Sequence, residues 1–220
     1  MPTPEQILGN LAFEATSARG IALLWHLAAV IGLTVLFTSS WRPRTFIAQM
    51  LAVAPLVTVS SLASTFGLGF NAVVTGAVAF ALVIIGARGT EAPVAPSPLW
   101  SVLLGLASVS YALVYPHFVP IESARDLWFT PVGVVPCPSF ALVIGAGLLA
   151  GGFGSRAWSL LAGGAGLFYA VFGIAVLHVW LDAGLLLSAG ALVAIGVLGD
   201  KIAPSNHRFG VPPAAASGSR

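Results

Sequence analysis

The sequence predicts an all-α polytopic integral membrane protein, a bundle of seven transmembrane helices preceded by a short N-terminal amphipathic helix. Three observations carry that expectation. Stretches 20–41, 45–87, 92–121, 127–155, 157–181 and 183–199 contain no Asp, Glu, Lys or Arg. A charge at mid-bilayer costs about 2.5–3.5 kcal/mol on insertion scales, so uncharged runs of this length read as spans. The chain is 58% hydrophobic and 7% charged, where a soluble domain carries about 25% charge. Finally, the lysines and arginines fall unevenly between alternate connections, as expected of loops on opposite sides of a membrane.

The elements follow in order. Thr3-Pro4-Glu5-Gln6 has the form of a helix start, with Thr3 as N-cap, Pro4 at the first helical position and Gln6 closing a capping box. Ile7, Leu8, Leu11, Ala12 and Ala15 share one face, which predicts a helix lying on the membrane surface. Glu5 and Glu14 without any Lys or Arg in the first eighteen residues argue against a cleaved leader.

A span needs about 20 apolar residues. The expected spans are 20–39, 45–65, 69–87, 98–116, 138–154, 157–179 and 183–200, within one domain covering 1–202. Phe66-Gly67-Leu68-Gly69-Phe70-Asn71 divides the long 45–87 run. Pro138–Gly154 gives about 25 Å of helix, short for a span of about 30 Å. Residues 203–220 are rich in Pro, Ala, Ser and Gly and read as a disordered cytoplasmic tail.

With seven spans, one side holds Arg19 and Arg125. The other holds Arg42, Arg44, Arg88, Arg156, Lys201, Arg208 and Arg220. Two against seven puts the N-terminus outside and the C-terminus in the cytoplasm. Trp25, Trp128 and Trp180 then fall at outer span ends and Trp41, Trp100 and Trp158 at inner ends, the level aromatic belts occupy. Gly147, Gly151, Ala162, Gly166 and Ala170 repeat small residues every fourth position, so spans five and six are expected to pack closely. The net charge of +2 forms no patch for nucleic acid, and one cysteine rules out an internal disulfide.

Side chains able to do chemistry gather at the outer level: His117, Cys137, His178 and Asp182, with Glu122 and Asp126 in the outer loop. Imidazole, thiolate and carboxylate are the ligands of zinc, copper or iron. No CxxC, HxxH or HExxH spacing supports a metal site, and solvated interfacial side chains are the simpler account. Cys137 sits between Pro136 and Pro138, which stiffen the entry to span five. His178 and Asp182 fall one turn apart if the sixth helix continues that far. Thr58, Ser61 and Thr65 share a face of span two and, with His26, could line a substrate path; packing between helices is the plainer role.

Tyr111-Ala112-Leu113-Val114-Tyr115-Pro116, followed by Pro131-Val132-Gly133-Val134-Val135-Pro136-Cys137-Pro138-Ser139, resembles a family of bacterial integral membrane proteins, domain of unknown function 6064. The Asp182-Ala183-Gly184 step is also similar. Ser139 stands where members usually have threonine. The resemblance implies a fold and a topology but no reaction; the expected location is a bacterial inner membrane, and the cofactors are left open. Two functional classes remain open. One is a non-enzymatic small permease-like module or accessory subunit, with the lipid bilayer and other membrane subunits as partners. The other is a metal-handling or redox protein with an outer-face site around Cys137, His117, His178 and Asp182.

Overall fold

The computed structural model describes residues 3–38, 42–88 and 92–202, all helix, turn and loop apart from one isolated bridge between Arg44 and Pro93. The tail at 203–220 and Trp41 lie outside the described residues. Among the described residues eight α-helices form: α1 (Pro4–Ser17), α2 (Arg19–Thr38), α3 (Thr45–Thr65), α4 (Gly69–Ala87), α5 (Leu99–Val114), α6 (Pro136–Leu149), α7 (Arg156–Ala175) and α8 (Ala183–Ile202). Five of them, α2, α3, α4, α7 and α8, are long and apolar enough to cross a membrane. The apolar helices α5 and α6 are shorter.

Helix α1 starts as its capping residues dictate. The Thr3 hydroxyl accepts from the Gln6 amide and the Gln6 side chain accepts from the Thr3 amide. Leu11 and Ala15 are buried, Ile7, Leu8 and Ala12 pack on the core, and Phe13 meets Phe66 edge to face at 5.8 Å. Helix α1 thus lies against the end of α3, at what is called here the α1 end of the bundle.

The seven apolar helices alternate in direction. At the α1 end, the start of α2 meets the end of α5, where His26 reaches the Leu113 carbonyl. At the opposite end, the start of α3 pairs with the segment after α4, the Thr45 amide donating to the Ala92 carbonyl at 2.9 Å. There too Ser97 and Ser101, at the start of α5, donate to the Leu149 and Leu148 carbonyls at the end of α6. Helices α3 and α4 form a tight hairpin through Gly67 (φ +74), and Ser60 donates to the Ala72 carbonyl across it.

The core sits on α6. From Thr130 to Ala150 every residue except Ala146 is buried. Fourteen residues of helix measure about 21 Å, less than the hydrocarbon thickness of about 30 Å. The irregular backbone just before it, 130–135, is buried by protein. The helix begins at Pro136, two residues before the expected position, since proline needs no amide partner in a first turn. It ends at Leu149 because residues 151–154 turn through positive φ, including Phe153 at +54. Trp158 packs edge to face on Phe153 at 4.7 Å and is wholly buried, so it belongs to the core and not to a headgroup belt.

Backbones come closest where glycines face each other. A methyl on Gly105 would lie 3.0 Å from the Gly145 carbonyl oxygen, and one on Gly145 would lie 3.0 Å from that of Gly105. Helix α6 is therefore most intimate with α5. Gly166 does touch α6 through Ile144, as the small-residue spacing suggested, but the close backbone approach of α7 is to α8, with Gly163 against the Ala189 carbonyl.

Candidate functional site: a buried carboxyl group between α5, α6 and α8

The final turn of α5 and its cap place Tyr111 and Tyr115 four residues apart, hence on one face. Their rings meet edge to face at 5.4 Å. Cys137 is the second residue of α6, projecting into the same space. Asp182 closes a short 3-10 turn (Trp180–Asp182) that leads directly into α8.

These four side chains converge. Asp182 Oδ1 accepts from the Tyr115 hydroxyl at 2.8 Å and from the Tyr111 hydroxyl at 3.2 Å. Asp182 Oδ2 accepts from the Cys137 thiol at 3.3 Å. The Tyr111 phenol has one proton and divides it between Asp182 and the Leu181 carbonyl at 2.9 Å. Asp182 and Tyr115 are each 1% exposed. Helix α7 closes the site through Gly173, where any side chain would collide with the Asp182 carboxyl group. An apolar setting makes an unpaired carboxyl group costly, and three donors offset that cost.

The two histidines expected beside this group are elsewhere. His117 is exposed, its ring 6.5 Å from that of Tyr115 and 4.8 Å from that of Phe118. His178 is not one turn from Asp182 along a continuous helix. Helix α7 ends at Ala175, the Val179 amide returns to the Gly173 carbonyl, and His178 takes φ +56 in the reversal. Exposed there, it adds to the field that holds the Glu5 carboxyl below its ordinary range, an effect due mainly to a backbone hydrogen bond and the Thr3 hydroxyl. Among the described residues no three His, Cys, Asp or Glu side chains come together as a metal site. Cys137 and Asp182 meet; His117 and His178 do not join them.

The four residues expected along a substrate path also separate. His26 is buried, with Nδ1 2.8 Å from the Ala22 carbonyl, and Nε2 3.0 Å from both the Leu113 carbonyl and Thr130 Oγ1. Thr58 bridges α3 to the 130–135 loop, accepting from Trp25 Nε1 at 3.0 Å and reaching the Gly133 carbonyl at 2.7 Å. Ser61 and Thr65 stand on an exposed face and donate to Val57 and Ser61 carbonyls of their own helix. The three hydroxyls all donate to backbone carbonyls. Gly133 (φ +73) is required where it sits, since a side chain there would overlap the Trp25 ring.

Tyr111 and Tyr115 do more at this site than the sequence assigned to them. Their i, i+4 spacing at the end of an apolar helix was the available signal; the acceptor they share lies about 70 residues away in the chain and left none. Comparison with protein-family models, with curated proteins and with solved structures finds no match.

Proposed function

We propose that the protein is a seven-span module of a bacterial inner membrane, N-terminus outside, that works by binding rather than catalysis, as an accessory subunit packed against other membrane proteins. One observation carries this reading. The side chains best able to do chemistry, Asp182, Cys137, Tyr111 and Tyr115, are consumed in fastening α5, α6 and α8 to one another. The span-two hydroxyls are likewise satisfied by carbonyls, which favours the subunit over the permease-like module. The alternating directions of α2 to α8 support seven crossings. The cations at the end opposite α1 support a cytoplasmic placement for that end. Membership of the family that the Tyr111–Ser139 stretch resembles belongs to the same proposal.

The test is solubilisation in a mild detergent followed by mass analysis of the purified complex. A second polypeptide at fixed stoichiometry is the expected result, and a monodisperse, solitary chain of normal stability would overturn it. The redox or metal reading keeps one supporting observation, the 3.3 Å contact of Cys137 with Asp182. It requires stoichiometric metal in the purified protein, lost in Cys137→Ser.

A further inference from the structure

The geometry points to a binding site for one anionic phospholipid in the cleft between α2 and the body of the bundle, with an acyl chain in the cleft and the phosphate on Arg42. Helix α2 is fastened by hydrogen bonds at its α1-end half, through Trp25 and His26; beyond that only Ala29, Leu33 and Leu36 pack against the core, and a cleft opens beside them. Only 11% of its crossing window is buried, against 22–44% for the other long helices. The space left is a cleft of about 600 Å³, within the usual range for a small-ligand site. Small residues make it: Ala28, Ala29 and Gly32 of α2 face Ala48 and Ala52 of α3, with Ala146 of α6 at the floor.

Such residues ordinarily allow helices to touch. Here they do not. Among the described residues a methyl on Gly32 would meet nothing within 4 Å.

The shape and charge choose the occupant. Along α2 the cleft runs from Trp25 to Leu36, about 17 Å, close to the depth of one leaflet of about 15 Å. It reaches the end opposite α1, where Pro43 and the buried Val94 line it. Arg42 holds its guanidinium there by donating to the Val94 carbonyl at 3.2 Å. The described cations at that end are Arg42, Arg44, Arg88 and Arg156. A hydrocarbon tail one leaflet long beneath a fixed guanidinium fits a phosphate-headed membrane lipid, and basic sites between spans on the cytoplasmic side recognise such headgroups. The inference goes beyond the subunit reading and does not depend on a protein partner.

The experiment exchanges the purified full chain into mixed micelles of phosphatidylglycerol and phosphatidylcholine with matched chains, then counts retained lipid by native mass spectrometry. One phosphatidylglycerol per chain should survive delipidation. Arg42→Gln should reduce the preference for it about fivefold. Gly32→Leu, which points into open space, should abolish retention with an unchanged melting temperature. Equal retention in Gly32→Leu, no headgroup preference, or no retained lipid overturns the proposal. So does a photo-crosslinker attached through Gly32→Cys (Cys137 being buried) that captures a polypeptide in membranes instead of lipid.

Discussion

Asp182 has donors from α5 and α6 on its two oxygens and a glycine of α7 where any side chain would intrude, so its neighbours depend on it as much as it depends on them. Asp182→Asn keeps the shape but turns one acceptor into a donor, leaving a tyrosine or the thiol unpaired. The expected loss is about 1.5–3 kcal/mol in a thermal or denaturant melt, with Tyr115→Phe at the lower end of that range. A double-mutant cycle between Tyr115 and Asp182 should show coupling, and strictly additive losses would remove the network from the account.

Glu14 behaves differently. It is fully buried on α1, and neither carboxyl oxygen has a hydrogen-bond partner among the described residues. Burial pushes its pKa up to about 7 from an ordinary 4.5. The folded form therefore holds a proton that the undocked helix releases, so docking of α1 weakens as pH rises from about 4.5 to about 7 and changes little beyond. Hydrogen exchange of α1 should speed up across that window, and Glu14→Gln should flatten the profile at the protected level.

At the scale of elements, α6 is a short apolar helix enclosed by its neighbours. Its fit to α5 rests on Gly105 and Gly145 in mutual backbone contact, with Ser97 and Ser101 donating to carbonyls at the end of α6 and Ser108 to the Ala141 carbonyl in its first half. Backbone cannot step aside as a side chain can, so Gly145→Ala should cost about 1–3 kcal/mol. Gly164→Ala, which meets open space on α7, serves as the control and should leave the melt nearly unchanged. Helix α2 is the counterexample. Long, apolar and sparsely packed, it has its hydrogen bonds to other elements near one end and a single line of apolar contacts, Ala22, Ala29, Leu33 and Leu36, along the rest. Its length and hydropathy were plain in the sequence, but its detachment was not, because nothing local distinguishes a small residue that packs from one that borders a cleft.

For the whole molecule, alternating helix directions predict that tags on the two termini report opposite compartments, read by protease protection or compartment-specific reporters. Cys137, buried at the α1 end, should resist a membrane-impermeant maleimide in the folded state and react on unfolding. Rapid labelling of the intact protein would place the thiol on an open surface and dissolve the fastening role.

The charge-free runs, the capping box of α1 and the turn at Gly67 determined the helical class, the element order and most boundaries, because each is a property of a few adjacent residues and the solvent around them. Tertiary structure alone decided that Tyr111, Tyr115, Cys137 and Asp182 share one hydrogen-bonded group while His117 and His178 stay exposed outside it. It also decided that α6 is central and α2 peripheral. Those facts depend on how helices some 20 to 70 residues apart meet side by side, and periodicity within one helix does not contain its neighbour.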